Sequence, residues 1–245
     1  MTGSQTEPVV DADPDVFARA RDDVLARIAA ACARSGRNPS DVTLVAVSKT
    51  ASADRVSAAV AAGLTVLGEN RVQEAAAKVI AVPGAVWHLV GALQSNKARR
   101  AVEVFDVIET VDSVELARRL DRLAGELRPG RPLPVLLQIN VDADPAKAGF
   151  APGVTSAAAE AVLALPNLRV DGLMTIGRLA TSKDDARATF RELRELAAAV
   201  RAIHPALGGE LSMGMTDDFE IAVEEGATIV RVGRALFGAR RETPE

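Results

Sequence analysis

Lys49 is the residue whose type and setting most directly imply chemistry. The run Thr43-Leu44-Val45-Ala46-Val47-Ser48-Lys49-Thr50 reads as a buried strand whose last inward position is a cation. An ammonium in an apolar setting shifts its pKa down or finds a partner. A desolvated amine is also a good nucleophile toward carbonyls. Two further junctions carry small and polar residues: Ser212, Gly214 and Thr216 after one apolar run, and Gly233 and Arg234 after the last. Small residues admit a ligand close to the backbone, and helix starts offer free N–H groups to an anion. Ordinary capped turns explain either junction alone, but both together opposite a strand-end lysine favour a phosphate site. Asp217 and Asp218 lie in the same turn and would compete with a phosphate unless they point outward and cap the helix, as Asp217 with Glu220 permits. Arg231 shares a strand face with Ile229 and Gly233, so it points inward. It needs an anionic or acceptor partner there. A structural pair with Glu69 and a contact with a bound anion or heteroaromatic ring both stay open. A lysine facing a phosphate site suggests a phosphorylated aldehyde or ketone held as a Schiff base, with pyridoxal 5′-phosphate (PLP) and sugar phosphates as candidates.

The elements that must position these groups alternate. Apolar runs near 42–48, 64–68, 86–91, 105–110, 133–141, 170–175, 210–213 and 228–233 read as strands, several apolar on both faces, as in a covered parallel sheet. Amphipathic stretches near 52–62, 70–81, 95–103, 113–126, 153–165, 183–203 and 216–226 read as helices, and a short last helix begins near Arg234. Asp13 and Pro14 open an extra leading helix that Gly36 ends. Eight strand–helix units in this length favour a TIM-type (β/α)8 barrel of the α/β class over a doubly wound sheet. Residues 1–12 read as a disordered tail and 13–245 as one domain, since no Pro/Gly/Ser linker divides the chain. The barrel reading places active groups at strand C-terminal ends, where Lys49, Asn70, Gln94 to Lys97, Lys147, Ser212 and Arg234 fall.

Composition excludes several classes. A net charge of −4 with scattered Lys and Arg gives no nucleic-acid or membrane surface. The lone Cys32 rules out an internal disulfide and a cysteine metal site, and its Ala-rich helical setting suits an inert thiol. Asp142 and Asp144 resemble a metal pair only superficially, so no metal is expected. The start of the chain lacks the order of a signal peptide, which points to the cytoplasm. The Arg/Glu-rich stretch 183–203 reads as an exposed amphipathic face.

The motifs VAVSKT at 45–50, GENRVQE at 68–74, WHLVGALQSNK at 87–97, QIN at 138–140, KAGF at 147–150, GLMTIG at 172–177, LSMGMTDD at 211–218 and VRVGRALFG at 230–238 occur in order over nearly the whole chain. Together they resemble the YggS/PROSC family of PLP-binding homeostasis proteins. The resemblance implies a type III PLP fold, the barrel domain only, similar to the N-terminal domain of alanine racemase. It implies that Lys49 carries the cofactor as an internal aldimine. It implies that Ser212, Gly233 and Arg234 hold the phosphate with Met213 and Gly214 nearby, that Arg231 lies close to the cofactor, and that Asn70 and His88 line the same mouth. The chain departs from the family pattern at Ala92, Thr216, Arg234 and Arg178. Arg234 replaces a common Thr, which removes a side-chain hydroxyl from the phosphate site.

An enzyme reading needs a second base across the cofactor. The racemase supplies a tyrosine from another domain and a partner subunit. This chain has no tyrosine and ends soon after its eighth strand. His88 lies in an apolar strand and reads as a packed histidine. An arginine at the ring nitrogen would also weaken the cofactor's electron sink. The expectation is a monomeric protein that binds and delivers PLP, with PLP-dependent apoenzymes as recipients and no dedicated reaction. A weak racemase or decarboxylase and a Schiff-base aldolase are the alternatives.

Overall fold

The structure is a computed structural model that describes residues 12–177 and 182–238. The expected Asp13-Pro14 start is there: α1 spans Pro14–Ser35, Asp13 accepts from the Asp15 N–H, and Gly36 ends the helix in the left-handed conformation at φ 67°. The strands and helices then alternate. They run β1 (Thr43–Val47), α2 (Ala53–Ala61), β2 (Val66–Glu69), α3 (Val72–Ala81), β3 (Val86–Leu89), α4 (Ala98–Val104), β4 (Val107–Val111) and α5 (Val114–Leu127). The second half continues with β5 (Leu133–Gln138), α6 (Thr155–Leu163), β6 (Leu168–Met174), α7 (Lys183–Ile203), β7 (Glu210–Ser212), α8 (Phe219–Glu224), β8 (Ile229–Val232) and α9 (Arg234–Phe237). Residues 1–11, the Arg178 departure and residues 239–245 lie outside the described residues.

All eight strands pair in parallel, and β8 returns to β1 with Val45 opposite Arg231, which closes the barrel. Closure leaves no sheet edge, and the short Val/Ile/Leu-rich strands are buried on both faces as the sequence predicts. Side chains alternate between two apolar layers. One lies between sheet and helices and includes Leu67, Leu89, Leu137 and Val230. The other fills the lumen with Val45, Val47, Val90, Leu136, Met174 and Ile229. Helix starts are pinned by their first residues: Ser113 accepts from the Leu116 N–H and Ser182 from the Asp185 N–H. The leading helix joins the outer ring between α8 and α2. Phe17 meets Phe237 with ring centroids 5.4 Å apart, Arg27 pairs with Glu220, and Arg37 donates to the carbonyls of Val223 and Ala227.

Candidate functional site

Lys49, expected as the last inward position of the strand, stands two residues beyond its end, and its side chain is exposed rather than buried. The strand stops at Val47, and a tight turn follows in which the Ala51 N–H donates to the Ser48 carbonyl at 3.0 Å. Thr50 takes a left-handed φ of 67°, rare for a residue with a Cβ. The turn lifts Lys49 out of the apolar layer, so desolvation is not what singles it out. No hydrogen bond or ion pair of Lys49 is present among the described residues, which leaves its amine available at the barrel mouth.

The buried cation that the sequence pattern led us to expect is a different residue. Lys78 on α3 reaches under the turn, donating to the Ser48 carbonyl at 2.8 Å and to Glu69 Oε1 at 2.5 Å. Ser48 Oγ donates to the same carboxylate oxygen at 2.7 Å. Glu69 at the end of β2 is therefore engaged with Lys78 and Ser48. This corrects the open pairing of Arg231 with Glu69.

Arg231 does point into the lumen and is buried, where it joins a polar chain across the barrel. It donates to Ser212 Oγ at 2.6 Å and to the Thr175 carbonyl at 2.8 Å. Ser212 in turn donates to Glu109 Oε2 at 2.5 Å. Glu109 Oε1 lies 2.6 Å from His88 Nδ1. Burial would push the Glu109 carboxyl up, but the hydrogen bond and charge of His88, with Arg231 and Ser212, hold it below its ordinary value. An ionised Glu109 only accepts hydrogen bonds, so His88 carries its proton on Nδ1. Burial lowers the Arg231 guanidinium while the charges of Glu109 and Asp218 raise it, and the net direction is down. His88 is thus a packed histidine, bonded inward. Ser212 has one proton and gives it to Glu109, so its hydroxyl cannot also donate to a phosphate in this arrangement.

Glu109 is the member that sequence reasoning missed. Its signal was a carboxylate in the middle of the apolar strand Val107–Val111, where an unpartnered charge is too costly to leave. Lys78 was missed because a lysine in an Ala-rich helix reads as solvent-facing.

The expected phosphate loops lie next to Lys49 in the barrel. Because Ala46 pairs with Val232, Gly233 comes alongside Val47, and a Cβ there would lie 3.3 Å from the Val47 carbonyl oxygen. Gly214 sits after β7 at φ 90°, where a Cβ would come within 2.5 Å of Ala222 Cβ. Both glycines bring bare backbone to the mouth. Met213 turns its side chain outward into the sheet–helix layer, so only its backbone faces this loop. The two acidic residues do not form the expected Asp217–Glu220 cap. Asp218 accepts from the Met215 N–H at 2.6 Å, and burial raises its carboxyl above the ordinary range. Asp217 is exposed and paired with Arg234, so the Arg234 side chain begins in an ion pair across the two loops. Asn70 is half-buried beside Gly91, whose missing side chain makes room for the Asn70 carbonyl.

These groups suit a phosphorylated aldehyde. An available amine, two backbone-only loops on adjacent strands and a rim arginine match the two ends of such a ligand, and the mouth has a charged floor in Arg231. Other expectations resolve simply. Cys32 is buried and burial raises its thiol. Asp142 accepts from Thr189 Oγ1 at 2.6 Å. Residues 95–97 form a single 3-10 turn leading into α4. The polar face of α7 is not simply solvated, since Arg187 pairs with Glu224 and Glu225 and Arg194 with Glu225. Among the described residues, no helix is long and apolar enough to cross a membrane, and no cluster of three acidic, His or Cys side chains could hold a metal.

Residues 22–241 match the family model described as alanine racemase, N-terminal domain. The pyridoxal phosphate homeostasis protein of Pseudomonas aeruginosa is 46% identical over 222 residues, covering 89% of this chain and 93% of that protein. Its namesake in Escherichia coli K12 is 40% identical over 220 residues, covering 87% and 92%. The PLP-bound structure of PipY from Synechococcus elongatus superposes with a TM-score of 0.79 at 44% identity, covering 91% of this chain and all of that one. Alanine racemase from Corynebacterium glutamicum, at 17% identity and a TM-score of 0.71, shares the fold, with 95% of this chain and 63% of that one covered. Sequence and fold agree that the chain belongs to the family of pyridoxal phosphate homeostasis proteins, built on the alanine racemase N-terminal barrel.

Proposed function

We propose that this protein binds pyridoxal 5′-phosphate reversibly and serves its storage or delivery in the cytoplasm, with residues 13–245 acting as one cofactor-binding unit and no dedicated reaction of its own. The observation that carries this reading is the placement of Lys49. Its amine is exposed at the C-terminal rim, in the turn after the strand next to the one that leads into Gly233 and Arg234. When bound, PLP supplies an aldehyde that condenses reversibly with a lysine amine, releasing one water, and a phosphate that needs a separate anchor. Lys49 would take the first end. The backbone at Gly214 and Gly233, with Arg234 exchanging Asp217 for the ligand, would take the second. Arg231 would face the ring from the lumen side, held by Ser212 and the Thr175 carbonyl. Asn70 sits on the rim beside them.

The commitments of the groups around the mouth fit binding better than proton transfer. His88 is buried and committed to Glu109, and the 245 residues contain no tyrosine. The names of the relatives and the PLP bound to PipY support the same ligand. The test is a titration of the purified protein with PLP, followed by absorbance, and then incubation of the loaded protein with alanine and serine under chiral analysis. We expect saturable binding and no steady turnover. Conversion at ordinary enzyme rates, about 1 per second or faster, would make the protein a racemase or decarboxylase. A protein that takes up no PLP would refute the binding itself.

A further inference from the structure

We propose that the buried Lys78–Glu69 pair is a positioning device for Lys49, so that both residues set how well the Lys49 amine captures an aldehyde without touching the ligand. This rests on Lys49 being the covalent anchor. Two of the three contacts fall on the residue just before Lys49, and the third joins the two partners. Ser48 gives its hydroxyl to Glu69 Oε1 at 2.7 Å and receives Lys78 Nζ on its carbonyl at 2.8 Å. Lys78 and Glu69 close the triangle at 2.5 Å. The same Ser48 carbonyl accepts the Ala51 N–H that closes the turn. Lys78 thus bonds the acceptor that shapes the turn, and Glu69 fixes the side chain of the turn's first residue.

The cost of this arrangement argues for a purpose. The Glu69 side chain is fully buried and that of Lys78 is 9% exposed. Two charges are withdrawn from water, and removing such a pair altogether often leaves a fold no less stable. Among the described residues Glu69 Oε2 has no hydrogen-bond partner, so this carboxylate oxygen is left unsatisfied by them. Thr50 holds a left-handed φ of 67° that a β-branched residue disfavours. A turn in that conformation needs its neighbours to impose it. Lys78 and Glu69 come from two elements, α3 and β2, and meet at this turn. Reaction with a carbonyl is sensitive to small displacements of the amine, so a fixed turn is worth more to Lys49 than to a residue that only fills space.

The experiment separates positioning from support by using two ligands. PLP can bond covalently to Lys49. Pyridoxine 5′-phosphate has the same ring and phosphate but an alcohol in place of the aldehyde. The variants are Lys78→Met and the paired Glu69→Gln/Lys78→Met, which removes both charges and leaves no unpaired one if the single variant folds poorly. In wild-type protein, borohydride should fix PLP on Lys49. If it does not, the covalent-anchor reading fails and takes this proposal with it. If it does, the proposal predicts that PLP affinity falls about tenfold or more in the variants, as the loss of charged hydrogen bonds implies, while pyridoxine 5′-phosphate affinity stays within about twofold. A matching fall for both ligands would make the pair a support of the whole mouth. No fall for PLP would leave it without a role at Lys49. Either result overturns the positioning role and leaves PLP binding standing.

Discussion

Replacing Glu109 with glutamine should cost the folded protein about 3 kcal/mol. Glu109 is fully buried and accepts two hydrogen bonds, 2.6 Å from His88 and 2.5 Å from Ser212. It is also a buried counter-charge for Arg231. Glutamine keeps the size and one acceptor oxygen. It loses the charge and at least one charge-assisted hydrogen bond, a loss of about 1.5–3 kcal/mol. Removing one partner of a buried ion pair costs about 3–5 kcal/mol in all. Asp218 still acts on Arg231, which places this case at the low end. For a chain of this size the melting temperature should drop by about 6–12 °C. The pH dependence gives an independent check. Because folding holds the Glu109 carboxyl low, its stabilisation is fully present above its unfolded value near ~4.3 and fades as pH falls through the folded value. Thermal melts of both proteins from neutral to acid pH should therefore show a gap that narrows only below that point. A variant that melts within about 2 °C of wild type at pH 7 would refute the polar chain as a supporting element.

Two substitutions probe the mouth itself. Gly214→Ala places a Cβ 2.5 Å from Ala222 at φ 90°, so it should cost about 1–3 kcal/mol in a urea titration and weaken PLP binding, and an unperturbed protein would contradict a cradle at that loop. Lys49→Ala should lose all covalent attachment of PLP yet retain measurable binding by equilibrium dialysis, and complete loss of binding would show that the two anchors are not separate.

The barrel was legible because its strands are short apolar runs and its helices carry capped starts such as Asp13-Pro14 and Ser113. Local pattern and closure agree there. The neighbourhood of Lys49 was less legible, because alternation cannot say where a strand ends. Thr50 turns left-handed one residue beyond the lysine and brings its side chain to the surface. Partners were harder still. Glu69 and Arg231 lie on opposite faces of the sheet, Glu69 with Leu67 on the helix side and Arg231 with Val45 in the lumen, so Lys78 serves one and Ser212 with Glu109 nearby the other. Those pairings join residues 9, 19 and 103 positions apart, and no spacing in a single sequence records them. The rim glycines were readable as sites of close approach. The Arg234–Asp217 pair was not, since the loops that carry it meet only once the barrel closes.

The central claim is that Lys49 is the covalent anchor, and the most direct measurement is borohydride reduction of the PLP-loaded protein followed by mass spectrometry of its peptides. The account predicts that the added mass sits on Lys49 and on no other lysine at comparable yield. Label on a different lysine, or spread evenly among them, would contradict it.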